Sequence, residues 1–221
     1  MSLNLRLPNV VHIVGVGGVG AWIAMFLALA GVKRLILWDM DEVSDHNLNR
    51  LPLDPGTIGE NKAIAMQRML ARLVPTCEVV ALYRWTADAA ADIGQAGHDL
   101  AYIVACTDTW RSRVEIHEFA TAHDLIYIEG SAEGDWGGCT SEPATFVTPE
   151  EEHPGYASVP VWVGPCVASA QMVCSYILHG QLPGHDSLRL GWNAEHNCIE
   201  AQNFPAITPV PQEVTRQAEI A

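Results

Sequence analysis

The chain has 221 residues, 49% of them apolar, and a formal charge of −14 at pH 7. That composition supports a large core and excludes a disordered chain. The acidic balance argues against nucleic acid as a partner, because no basic footprint exists to release counterions; with no apolar run of membrane-spanning length and no basic-then-apolar leader, a cytoplasmic protein without a membrane partner is expected.

In chain order, the apolar run 10–14 reads as a strand. It enters Gly15-Val16-Gly17-Gly18-Val19-Gly20 and then a helical stretch, 21–30, stopped by Gly31. Strand, glycine turn and helix in this order let backbone approach a phosphate at a helix N-terminus. Gly15, Gly17, Gly18 and Gly20 are therefore candidate nucleotide-binding positions. Residues 35–38 read as a second buried strand ending at Asp39, followed by a loop rich in Asp, Asn and Pro to Gly59. Residues 61–73 carry Ile64, Met66, Met69, Leu70 and Leu73 at helical spacing and stop before Pro75. A third strand covers 78–83, and Thr86 caps a weak alanine-rich helix to about residue 95. A fourth strand, 100–105, ends at Cys106-Thr107-Asp108; helix 110–122 and strand 125–129 follow. The alternation predicts an α/β fold: a Rossmann-like, doubly wound, mainly parallel sheet with ligands at the carboxyl ends of its strands.

The second half changes character. Residues 130–160 are rich in Gly, Pro and acids, and 150–154 reads as an exposed loop; 166–179 is helical. Residues 188–192 and 198–203 pair as a hairpin across 193–197, giving a small antiparallel C-terminal extension. The tail from 208 is expected to fray.

The glycine run alone suits a dinucleotide or ATP. The procession Asp39, Asp41, Asn47, Arg50 and Lys62 favours a triphosphate that is cut, because a nicotinamide site needs an acid after the second strand but no such series of polar and basic groups. Lys62 is one of only two lysines, with Lys33. Cys77, Cys106, Cys166 and Cys174 lie in apolar runs, as buried reduced thiols of a cytosolic protein do. No C-x-x-C occurs, so no structural zinc is expected.

The glycine run, Asp39-Met40-Asp41-Glu42-Val43-Ser44-Asp45-His46-Asn47-Leu48-Asn49-Arg50, Gly59-Glu60-Asn61-Lys62 and Cys106-Thr107-Asp108 together resemble the ThiF/MoeB/HesA adenylation domain, the nucleotide-binding core of ubiquitin-activating-type enzymes. The resemblance covers residues 8–203. It implies one adenylation domain over 1–221: a nucleotide-binding half, 1–130, a carrier-binding and dimer half, 131–207, and a tail, 208–221. It implies an adenylyltransferase that uses ATP and Mg²⁺. Such an enzyme activates the C-terminal glycine carboxylate of a small ubiquitin-like or sulfur-carrier protein ending in Gly-Gly, and it acts as a homodimer. In that reading Asp39 accepts hydrogen bonds from the ribose, Asn47, Arg50 and Lys62 hold the phosphates, Asp108 holds Mg²⁺, and Asp41 supports the loop.

Three departures stand out. Thr109 occupies a position where the family usually has Asn. The family's paired zinc cysteines are missing, and the N-terminal segment offers only Arg6 as an arginine to reach a neighbouring subunit. Some relatives pass the acyl group to a thiol; Cys139, at a loop after the fifth strand, is the candidate nucleophile, although neighbouring acids would raise its pKa, and the other reading makes it a small residue in the strand that follows the loop. A NAD(P)-dependent oxidoreductase and a non-catalytic half-enzyme of the same fold remain as alternatives.

Overall fold

A computed structural model describes residues 5–94, 101–143, 160–181, 187–196 and 198–204. The expected loop at 150–154 and the tail from 208 lie outside them, as do the expected helix end near 95 and the start of the fourth strand at 100.

One eight-stranded sheet organises the chain. Strands β1 (Val10–Val14), β2 (Arg34–Trp38), β3 (Glu78–Leu82), β4 (Ala101–Ala105) and β5 (Ile126–Glu133) are joined through helices α1 (Gly18–Ala30), α2 (Lys62–Leu73), α3 (Ala87–Gly94) and α4 (Trp110–Ala122). Strand β6 (Trp136–Thr140), helix α5 (Val163–His179) and strands β7 (Ser187–Asn193) and β8 (Cys198–Phe204) complete it. The order is β3-β2-β1-β4-β5-β6-β7-β8. The first five strands pair in parallel and the last three add on in antiparallel fashion.

Every residue of β1 and β4 is buried, as strands covered on both faces require. One face packs Ile13, Leu35, Val104 and Ile128 against α1, α2 and α5; the other packs Val14, Ile36, Ile103 and Tyr127 against α4. Chain direction reverses its winding where β1 lies between β2 and β4, the switch point at which such sheets bind ligands.

The expected architecture is present, with three adjustments. Helix α1 begins at Gly18, so half of the glycine run is already helical. Strand β5 continues to Glu133, and the Gly-rich segment Trp136–Thr140 is a strand that turns back beside it. Glycines at 137 and 138 hid this strand from propensity reasoning. Gly137 faces α5 so tightly that a Cβ would collide with the Pro165 carbonyl oxygen.

Candidate functional site

The glycine run divides its labour. Gly15 has φ +92°, and an added Cβ would strike the Cys106 carbonyl oxygen, so this glycine lets the turn lie against the end of β4. A Cβ on Gly20 would strike the Gly15 carbonyl oxygen, closing α1 onto the turn. Gly18 faces the Cys166 sulfur and the stem of Arg50. Only Gly17 opens on empty space, with nothing within 4 Å of a built Cβ. It precedes the first turn of α1, whose N–H groups have no intrahelical acceptor.

Asp39 leaves β2 beside this turn. Its Oδ2 accepts from the Val16 N–H at 2.6 Å and its Oδ1 from the Asp41 N–H at 2.8 Å. Burial raises its pKa above the ordinary carboxylate value, and those two N–H groups and Lys62 partly oppose the rise. Asn61 caps α2 by accepting from the Ile64 N–H, while its amide donates to the carbonyls of Asp39 at 2.7 Å and Asp41 at 3.2 Å. Lys62 follows at the first helical position; its Nζ sits 2.8 Å from Asp41 Oδ2 and its side chain is 11% exposed. Asp41 thus pairs with the lysine, and its carbonyl accepts from the Lys62 N–H at 2.9 Å. Asn47 is buried in a 3₁₀ turn, where its Oδ1 accepts from the Ser44 N–H and hydroxyl. Arg50 donates to the His46 carbonyl and to Asn49 Oδ1, both at 2.9 Å.

The end of β4 supplies the other wall. Asp108 is exposed, and Thr109 caps α4 by accepting from the Ser112 N–H at 3.2 Å, which gives threonine a structural reason at that position. Arg113, one turn into α4, donates Nε to the Thr107 carbonyl at 2.9 Å and Nη1 to Glu129 Oε1 at 3.0 Å. Neither Arg113 nor Glu129 is conspicuous in the sequence, because their pairing crosses from a helix to the end of a strand. Asn61 stood inside a recognisable string, but its bracing role needs the fold.

These residues surround two adjoining cavities. One, about 470 Å³, is lined by Gly17, Gly18, Asn47, Arg50 and Arg113 among others. The other, about 400 Å³, is lined by Gly15, Asp39, Met40 and Trp85 among others. Lys62, Thr107 and Asp108 border both. The sizes lie in the range of small-ligand sites. The Thr107 hydroxyl is buried without a hydrogen-bond partner at this junction, as a group awaiting a polar ligand would be. The open face at Gly17, the free N–H groups of α1 and the cations on one side suit a nucleotide whose phosphates cross from one cavity to the other. For a magnesium ion the described residues offer Asp108 and no cluster of three or more ligating side chains; Mg²⁺ commonly binds through one carboxylate and the substrate phosphates.

Of the two settings weighed for Cys139, the structure has the strand: it lies inside β6, 1% exposed, facing α5, and it lines neither cavity. Burial pushes its thiol up to about 12, which opposes the ionisation a nucleophile needs. Cys166 does border the larger cavity but is equally buried, its thiol pushed up to about 11.

With this geometry in hand, the comparisons fix the class. The ThiF family model matches residues 7–173, and the chain belongs to the ThiF family. The tRNA threonylcarbamoyladenosine dehydratase of Bacillus subtilis is 33% identical over 122 residues, 54% of this chain and 47% of that protein. Ubiquitin-like modifier-activating enzyme 5 of Drosophila melanogaster is 31% identical over 129 residues, 54% of this chain and 32% of that protein. The chain therefore spans less than half the length of either relative. Among solved structures, Escherichia coli MccB with MccA-N7isoASN superposes with a TM-score of 0.69 at 19% identity, covering 91% of this chain and 66% of MccB. The E. coli dehydratase TcdA gives 0.62 at 20% identity, covering 76% of this chain and 84% of TcdA. At such identities these structures establish the fold. No helix among the described residues is long and apolar enough to cross a membrane.

Proposed function

We propose that the chain adenylates the C-terminal glycine carboxylate of a small ubiquitin-like or sulfur-carrier protein ending in Gly-Gly, using ATP. The observation that carries this reading is the meeting of Gly17, Arg50, Lys62 and Asp108 on two adjoining cavities at the switch point. Support comes from the relatives: one is named a ubiquitin-like modifier-activating enzyme, and MccB has been crystallised with ATP and with MccA.

In the reaction a carboxylate oxygen attacks the α-phosphorus. The bond from that phosphorus to its bridging oxygen breaks, and acyl-adenylate and pyrophosphate result. The chain must align two anions and neutralise the charge that moves onto the leaving group. Asp39 sits where ribose hydroxyls could donate to it. Asn47 anchors the turn carrying Arg50. Arg50 offers a planar fork and Lys62 a point charge to the phosphates. Asp108 would hold Mg²⁺, which supplies further charge neutralisation when bound. A nicotinamide enzyme would leave the cations of the larger cavity unexplained. The −14 charge disfavours tRNA as substrate, despite the names of two relatives.

The test is pyrophosphate exchange into ATP with a Gly-Gly-terminated carrier. Exchange should require carrier and ATP. Asp108→Ala should abolish it with the fold intact, and Arg50→Ala and Lys62→Ala should each slow it about 100-fold or more. Full activity of Asp108→Ala would remove the metal assignment. A wild-type protein that binds no ATP with any carrier would point to the non-catalytic half-enzyme instead.

A further inference from the structure

Asp108 carries the expected metal role, yet it is exposed and no hydrogen bond or ion pair of its own side chain orders it among the described residues. What holds its turn is Arg113. The guanidinium donates in two directions at once, through Nε to the Thr107 carbonyl at 2.9 Å and through Nη1 to Glu129 Oε1 at 3.0 Å. Arg113 is 12% and Glu129 1% exposed. The Tyr127 hydroxyl donates to the second carboxylate oxygen, Oε2, at 3.3 Å. Burial, with Glu129 beside it, pushes that phenol's pKa well above its ordinary value, so it stays a donor.

The anchor is therefore a strand. Tyr127 and Glu129 lie on β5, which is paired to β4 along Tyr102↔Ile126 through Ala105↔Glu129. Glu129 ends that parallel register opposite the last residue of β4, and Arg113 bridges from it to the carbonyl two residues past β4. The bridge fixes the peptide that immediately precedes Asp108. It also borders the cavity that Arg50 and Lys62 border. A buried ion pair adds little net stability by itself but specifies one arrangement, which is what a metal-holding turn needs.

We propose that the Arg113–Glu129 pair is a positioning device. It sets the Thr107–Asp108 turn so that Asp108 can hold the metal of a bound Mg-nucleotide. Arg113 is the positioning residue and Glu129, oriented by Tyr127, is its anchor. The inference rests on the adenylation reading only for the metal; the clamp on the turn is a property of the free protein.

Two measurements on the full chain separate these parts. The first is amide hydrogen exchange across residues 106–112 in the free protein. The second is ATP affinity by calorimetry with and without Mg²⁺. Because Arg113→Ala alone would take the guanidinium from a buried carboxylate and endanger folding, the main variant is Arg113→Met combined with Glu129→Gln. It should keep its melting transition, lose protection over 106–112 by about tenfold or more, and lose most of the Mg²⁺-dependent gain in ATP affinity. Arg113→Lys should behave in the same way, because an ammonium has no fork to bridge a carbonyl and a carboxylate. Asp108→Ala should lose the Mg²⁺ gain while its turn stays protected. Wild-type protection over 106–112 in the double variant, or a wild-type Mg²⁺ gain in Arg113→Lys, overturns the proposal. If wild-type protein binds no ATP under either condition, the adenylation reading fails while the exchange measurement still decides the clamp.

Discussion

Gly15 and Gly17 sit two residues apart and do opposite things. A methyl at Gly15 meets the Cys106 carbonyl oxygen and imposes a φ of +92° on a residue with a Cβ. Gly15→Ala should therefore destabilise the fold by about 2–4 kcal/mol, combining left-handed strain with overpacking. A methyl at Gly17 meets nothing within 4 Å, and its φ of −78° is ordinary. Gly17→Ala should melt within a degree or two of wild type and yet bind ATP more weakly, since the methyl would stand where a phosphate approaches. Thermal unfolding and calorimetry on the two variants check this; equal loss of stability in both would contradict the division. The sequence pattern treats these glycines alike. Which one faces a ligand and which one faces a neighbouring strand depends on where the end of β4 lies.

At the scale of elements, β7 and β8 pair closely to the hairpin expected for them. Their turn holds His196 against Glu200, with Asn193 donating to the same carboxylate at 2.9 Å. The hydrogen bond from His196, aided by Asn193, holds the Glu200 carboxyl down to about 2. A depressed carboxyl contributes stability that is fully present above its unfolded value of 4.5 and lost as pH falls through about 2. Titration of Glu200 by carboxyl-carbon NMR should show that low midpoint, and His196→Ala should return it toward 4.5; an unchanged midpoint would assign the shift elsewhere. Much of this architecture was legible: β1, β2, α2, α4 and the hairpin announce themselves through apolar runs, helical spacing and caps. Asp39, Asn47, Arg50, Lys62 and Asp108 stood out as candidates because each lies within a local string, and all five line the two cavities. Strand β6 was not legible, since glycines at 137 and 138 and the Trp136 beside them carry no alternation. Nor was the pairing of Arg113 with Glu129, which is a contact between elements rather than a pattern within one. For Cys139 the sequence left a loop and a following strand both open, and its strand partners, Gly130 and Leu188, decide for the strand.

For the whole molecule, the net charge is opposite in sign to the cations that border the larger cavity. A chain of formal charge −14 gathers Arg50, Lys62 and Arg113 around one cavity. Anionic ligands must approach through the repulsive field of the acidic chain, so their association should quicken as salt rises, the reverse of steering by a basic surface. We expect a homodimer, as the resemblance implies. Light scattering at micromolar concentration with ATP present should give twice the mass of 24.0 kDa; a monomer would count against it.

The site also has a history within each folding event. Its walls are the ends of β1 and β4, whose register joins Val14 to Ala105 across nearly half of the chain. The β7–β8 hairpin joins near neighbours in sequence, and such pairs close within about 1–10 μs, whereas distant parallel strands are slow to meet. Refolding protein should regain far-ultraviolet ellipticity before it regains nucleotide binding, and a stopped-flow trace in which the two recover together would contradict that order. During synthesis the same delay becomes a sequence of events: for as long as β4 is still inside the ribosome, the first half of the chain displays its glycine turn with no cavity behind it. On the proposed reading a nucleotide would then have nothing to bind, and its capture would mark the moment at which the sheet has closed around its own centre.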